Sequence, residues 1–330
     1  MLVTGATGFL GSSLVHRLLR DGLPVRVLAR SRLKAEALTD QGAEAVVGDI
    51  TDGVALQSAL DGVEVVYHLA GRLLVPGVPA DEYRKTHVEG TRLLLESCRL
   101  QPSIRRFVHC STTGVLGVTG ERPADESAPL RPTNVYEATK AEGEQAVRDT
   151  WQSGFPAVIV RPGLVYGPGD LHLLGFFRAV LRRQFRPIGR ETVWLHPIYI
   201  DDMTDALVRC GSHPAATAQC FNVAGQEPVS LAGLAATIAR AGGTSVPPGN
   251  IPLAAARAVA TLGDWLPASL QRSAPLTRNR LDFLTHSRVY SVDKARQLLD
   301  FVAPTGLATG IARTMAWYRQ ERYLPIGSAA

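Results

Sequence analysis

Apolar positions in the first half of the chain come in short bursts, and the stretches between them carry a helical repeat. Val25–Leu28, Ala45–Val47, Val65–Leu69, Phe107–His109 and Ala157–Val160 are β-branched or otherwise apolar runs of strand length. Ala80–Arg99 and Val135–Trp151 carry the longer periodic pattern of helices. Strands alternating with helices predict a parallel, doubly wound α/β sheet with helices on both faces. In such sheets ligands sit beyond the carboxyl ends of the strands, so the residues that follow each run are the ones to inspect.

The run Met1–Gly11, MLVTGATGFLG, compresses this pattern into a strand, a glycine turn and a helix start. Gly5, Gly8 and Gly11 are spaced three apart, where missing side chains let the backbone turn sharply and approach a pyrophosphate. The predicted helix Ser12–Arg20 then points its positive N-terminal end at that anion. Three glycines alone are a weak signal, but strand before and helix after make a dinucleotide cradle.

Bulk properties narrow the rest. A chain of 330 residues buries one large core and a smaller lobe. The net charge of +5 and pI near 9.2 come from scattered Lys and Arg, which favours small-molecule partners over nucleic acid. Cys98, Cys110, Cys210 and Cys220 have neither CxxC nor Cys/His metal spacing, so we expect reduced, buried thiols, a cytoplasmic setting and no metal site. No apolar run approaches the roughly 20 residues of a membrane span. Ala254–Leu266 reads as a helix of the second lobe, with Asp264 arguing against a membrane-surface role.

Motifs from Thr4 to about Tyr318 together resemble the extended short-chain dehydrogenase/reductase superfamily. They comprise TGATGFLG, Asp49, His68-Leu69-Ala70-Gly71, Val88-Glu89-Gly90-Thr91 and Ser111-Thr112-Thr113, followed by Tyr136-xxx-Lys140, Arg161-Pro162-Gly163 and Val165-Tyr166-Gly167-Pro168. The resemblance implies a Rossmann domain formed by residues 1–166 with 196–224. It implies a substrate lobe formed by 167–195 with 225–330, and a homodimer through Ala80–Arg99 and Val135–Trp151. Gly5, Thr7, Gly8, Phe9, Leu10, Gly11, Asp49, Ile50, Leu69, Ala70, Gly71, Pro162 and Gly163 are thereby expected at the dinucleotide, together with Tyr136 and Lys140.

Tyr136 and Lys140 are four apart on one helix face, which places an ammonium beside a phenol and is expected to lower its pKa from near 10. The phenol would then exchange a proton while a hydride moves. Thr112, with Ser111 as the alternative, supplies the hydroxyl that holds the substrate oxygen. Thr113 and Gly114 stand where the family's sugar dehydratases carry an acid and a base, so elimination is not expected. His87 replaces the asparagine usual before Val-x-Gly-Thr.

At the end of the second strand an NAD-specific carboxylate is absent: Ala29 is followed by Arg30, which favours NADP(H), with NAD(H) as the alternative. Arg72, Leu73, Thr113, Leu116 and Tyr166 are expected at the substrate. Leucines at 73, 116 and 195 replace polar residues of nucleotide-sugar epimerases, which points to a mainly apolar alcohol or ketone, as in the hydroxysteroid dehydrogenase and dihydroflavonol reductase branches. An NAD-dependent sugar epimerase is the enzymatic alternative, and a non-catalytic dinucleotide sensor the alternative of another class.

Overall fold

The computed structural model describes residues 1–267 and 276–325. Its large sheet takes β1 (Leu2–Thr4), β2 (Arg26–Ala29), β3 (Glu44–Val47), β4 (Val65–His68), β5 (Arg106–Cys110) and β6 (Ala157–Pro162). After the short β7 (Leu164–Tyr166), β8 (Trp194–Leu195) and β9 (Pro197–Tyr199), the chain returns to this sheet as β10 (Cys220–Val223), and β11 (Val229–Ser230) follows. The strand order is β3-β2-β1-β4-β5-β6-β10 and every pairing is parallel. The order reverses between β1 and β4, which opens the crevice typical of a doubly wound Rossmann sheet.

The apolar runs are legible because the strands are covered on both faces. Every residue of β1, β5, β6 and β10 is buried, whereas the edge strand β3 has exposed ends. On one face Leu14, Val15 and Leu18 of α1 (Phe9–Arg20) pack with Met203 and Leu207 of helix Ile200–Ser212. On the other, Leu56 and Leu60 of helix Gly53–Leu60 meet Leu94 and Leu95 of Gly90–Arg99 and Val147 of Val135–Trp151. A further core, with Phe177, Ile238, Met315 and Tyr318, lies in the C-terminal part of the chain. Among the described residues no helix is long and apolar enough to cross a membrane.

Two helices differ from expectation. The first begins at Phe9, not Ser12, because Gly8 already serves as its N-cap. Ala80–Arg99 is not one α-helix: a π-helical turn at Lys85–Glu89 separates Ala80–Arg84 from Gly90–Arg99. The widened turn brings the His87 carbonyl so close to Gly143 that a β-carbon there would lie 2.6 Å from its oxygen. The His87 ring is inserted between the loop after β4 and the helix Val135–Trp151. π turns of this kind frequently occur beside functional sites.

Candidate active site

The glycine turn is a cradle shaped by close backbone approach. Gly5 has φ +70°, and a β-carbon on Gly11 would lie 2.2 Å from the Gly5 carbonyl oxygen. Gly8 N–H donates to Gly5 O at 3.0 Å, and α1 starts without a side-chain cap or an acidic residue in its first turn. Its first N–H groups therefore face outward with the positive end of the helix dipole, beside exposed Thr7 and Gly8. Such a cradle fits the pyrophosphate of a dinucleotide. Phe9 and Leu10 turn inward against the C-terminal core.

Arg30, just past β2, is exposed and makes no ion pair or hydrogen bond among the described residues, while Ala29 is buried. Asp49 closes a local turn, its Oδ1 accepting from Thr51 N at 3.1 Å and Thr51 Oγ1 at 2.9 Å. Ile50 is buried against Gly90. Leu69 and Ala70 are half-buried and Gly71 is exposed at the end of β4, while Gly163 faces a cavity beyond β6.

That cavity, about 260 Å³, is where the candidate catalytic groups meet. Thr112, Thr113 and Gly114 reach it from the end of β5, Tyr136 and Glu137 from the helix Val135–Trp151, and Gly163 and Leu164 from beyond β6. The helix is fixed at its start by Asn134, whose Oδ1 accepts from Glu137 N at 3.0 Å. Glu137 in turn accepts from Thr133 N at 2.7 Å and Thr133 Oγ1 at 2.8 Å, which fastens the residue before the cap to the first turn. Farther along, Glu144 grips Arg161 of β6 through two contacts of 2.8 and 2.6 Å, with both side chains fully buried.

Thr112 and Tyr136 face the same cavity, and the Thr112 hydroxyl acts on the Tyr136 phenol. Thr112 Oγ1 also accepts from Gly114 N at 3.1 Å, while Ser111 Oγ is buried without a partner among the described residues and does not line the cavity. The register thus sets Thr112, rather than Ser111, at the cavity wall.

The electrostatics correct one expectation. Burial drives the Tyr136 phenol pKa well above its ordinary value, and the nearby Thr112 hydroxyl opposes this only in part. Lys140 does not hold the phenol down: its buried ammonium donates to Cys110 O at 2.6 Å, turning toward the strand end instead. Its charge is felt by three buried histidines. Desolvation first and Lys140 second push His68 and His87 down to about 3, and His109 falls by the same two causes.

The hydrogen bonds among these groups run in one direction. Arg72 N–H donates to His87 Nε2 at 2.9 Å, which leaves the ring proton on Nδ1 to meet Thr139 Oγ1 at 2.8 Å. Thr91 Oγ1 donates to His87 O at 2.7 Å and so accepts from His68 Nε2 at 2.9 Å. His68 Nδ1 then takes the Thr4 hydroxyl proton at 2.8 Å. This network ties the glycine turn, the end of β4 and the Tyr136 helix together, and Tyr136 packs edge-on to His87 at 5.5 Å. An asparagine has no ring to span these elements.

The expected substrate residues fare unevenly. Thr113 lines the cavity, its hydroxyl donating to Pro162 O at 2.9 Å. Leu73 is 50% exposed, and its neighbour Leu74 faces the cavity instead. Arg72 pairs with Glu82 at 3.2 Å away from the cavity. Leu116 is drawn into a small core with Val115, Ala141 and Tyr290 because the 3₁₀ turn Thr113–Leu116 points it inward. Tyr166 is buried against Tyr199 and Gly310. Leu195 does line the cavity, together with His196, Asn279, Asp282, Phe283, Arg288 and Tyr290. Sequence reasoning did not single out the last of these as site residues.

The model of the NAD dependent epimerase/dehydratase family matches residues 1–224. Over 307 residues the chain is 31% identical to a 4-hydroxy-2-methyl-3-oxo-4-farnesyl-3,4-dihydroquinoline-1-oxide ketoreductase of Stigmatella aurantiaca, covering 91% of this chain and 90% of that one. It is also 31% identical, over 344 residues, to a UDP-glucose 4-epimerase of Mycolicibacterium smegmatis, covering 97% and 98%. Among solved structures it is similar to MoeE5 in complex with UDP-glucuronic acid and NAD, with a TM-score of 0.75, 26% identity and coverage of 97% and 99%.

Proposed function

Because this chain belongs to the NAD dependent epimerase/dehydratase family, we propose that it interconverts a secondary alcohol and a ketone on a small, partly apolar molecule, with NADP(H) as its dinucleotide. It is an NAD(P)-dependent enzyme of the extended short-chain dehydrogenase/reductase type. The observation that carries the proposal is the placement of Thr112 and Tyr136 together on the wall of a cavity of about 260 Å³. That size suits a small molecule, and Leu195 stands where the resemblance puts the diphosphate-gripping arginine of the epimerases. The ketoreductase relative favours the same side of the choice.

A nicotinamide dinucleotide, when bound, supplies or accepts the hydride. Gly5, Gly8, Gly11 and the start of α1 would hold its pyrophosphate, and Arg30 the ribose phosphate of NADP(H). Thr112 orients the substrate oxygen, and Tyr136 Oη gives its proton to that oxygen in reduction or takes one in oxidation. A high phenol pKa keeps Tyr136 protonated, as a general acid must be before reduction. Lys140 acts on this pair at one remove, by fixing the Cys110 carbonyl beside the Ser111–Thr112 strand end.

A panel of ketones and alcohols followed by nicotinamide absorbance tests the reading, and no turnover of any member would overturn it. NADP(H) is expected to bind about ten- to a hundredfold more tightly than NAD(H), the range for one charge-assisted contact. Ala29→Asp with Arg30→Asn should reverse the order; tighter NAD(H) binding by the wild type would favour the epimerase reading. The family resemblance further supports a homodimer through the helices of residues 80–99 and Val135–Trp151, which a monomeric mass in light scattering would refute. Four free, buried cysteines support a cytoplasmic setting, and cell fractionation checks it.

A further inference from the structure

One wall of the cavity takes no part in the chemistry above. Asn279, Asp282 and Phe283 lie three and four residues apart and so share a face of helix Arg278–Thr285, and Arg288 and Tyr290 continue the wall. The strand-like segment carrying Arg288 is tied down on both sides. Arg288 N–H donates to Trp194 O at 2.8 Å, Val289 N–H to Thr119 Oγ1 at 2.8 Å, and Ala124 N–H to Val289 O at 3.0 Å.

The guanidinium is held in place but incompletely used. Its Nη2 donates to Asp282 Oδ2 at 2.5 Å, and the side chain is only 11% exposed. Its Nη1 is buried and has no hydrogen-bond partner among the described residues. Asp282 divides its carboxylate between Arg288 and His286, whose Nδ1 lies 3.0 Å from Oδ1. The charge of Arg288 is felt at the Tyr290 phenol, and Tyr290 shares the cavity with Thr113 and Thr112. A buried guanidinium N–H without an acceptor is costly in an empty site and specific in a filled one.

Resting on the reductase reading of this cavity, we propose that the Arg288 guanidinium, through the edge it presents to the cavity, binds a carboxylate of the substrate, which makes that substrate an oxo acid or its hydroxy acid. The planar guanidinium matches a carboxylate, and with Asp282 beside it and Glu137 on the same cavity it suits a single negative charge rather than a phosphate dianion. Leu74, Leu164, Leu195 and Phe283 offer an apolar bed for the chain between the two ends.

The test compares straight-chain oxo acids with their methyl esters, using NADPH and the whole chain. The wild type should prefer the acids by roughly tenfold to a hundredfold in kcat/KM, the effect of one charge-assisted hydrogen bond. Arg288→Gln should erase that preference mainly through KM, and Arg288→Lys should keep part of it. Equal use of acids and esters by the wild type, or an undiminished preference in a folded Arg288→Gln, overturns the proposal. The wild-type comparison decides by itself if the variants do not fold. Should no ketone be reduced at all, the reductase reading fails. Calorimetry with straight-chain carboxylic acids and their methyl esters on the dinucleotide-loaded protein then decides the arginine site: a preference for the acid supports it and equal binding overturns it.

Discussion

Tyr136→Phe is expected to lower kcat/KM by about a hundredfold to ten-thousandfold, the range for losing a positioned general acid or base. The substitution removes one oxygen and keeps the ring that packs edge-on to His87, so the fold and the dinucleotide affinity should be nearly unchanged. Burial makes the argument sharper, because a phenol with a raised pKa is a reliable proton donor near neutral pH but a poor resting base. Thr112→Ala should cost about a hundredfold to a thousandfold by removing a donor to the substrate oxygen. Steady-state rates with any accepted ketone check both. Wild-type rates from Tyr136→Phe would remove the phenol from the mechanism, and a larger loss in Ser111→Ala than in Thr112→Ala would move the hydroxyl to Ser111.

Glu144→Ala should be the most damaging single change to stability, at about 3–5 kcal/mol. Glu144 and Arg161 are fully buried and joined by two hydrogen bonds, and among the described residues only the partly exposed Arg148, at 3.6 Å, also forms an ion pair with the carboxylate. Deleting the carboxylate leaves a desolvated guanidinium inside the sheet, with Nη1 already unpartnered among the described residues. Because the pair joins β6 to the helix that carries Tyr136 and Lys140, activity should fall with stability rather than separately from it. Urea denaturation measures the loss. The double change Glu144→Leu with Arg161→Met should be much milder, since no unpaired charge remains. A loss below about 1 kcal/mol in Glu144→Ala would show that the pair is not a structural anchor.

How much of this was legible in the sequence depends on how local the cause is. The strands read clearly because burial on both faces makes them continuous apolar runs, and the glycine turn because its spacing is dictated within a few residues. The π turn at Lys85–Glu89 left no such signal, since it is held by Arg72 and Thr139, which are distant in sequence. Motif spacing brought Tyr136 and Lys140 to one helix, yet it could not say that the ammonium would turn to Cys110 O. Substrate positions were the least legible. Leu116 lies near a motif and Tyr166 within one, yet both turn into cores, whereas Asp282 and Arg288 join the cavity from more than 140 residues beyond Tyr136.

The two kinds of cavity wall come from separate stretches of the chain. Thr112, Tyr136 and Glu137 belong to the ends of the Rossmann sheet and its helix, whereas Asn279, Asp282, Phe283 and Arg288 belong to one later segment. A change in what the enzyme accepts therefore requires no change in how it reacts. On the proposal above, exchange of the segment 276–290 between relatives would move the charged part of the wall as a unit, while the apolar bed of Leu74, Leu164 and Leu195 stays with the rest of the chain. A lineage built this way can explore new metabolites while its reactive core stays fixed.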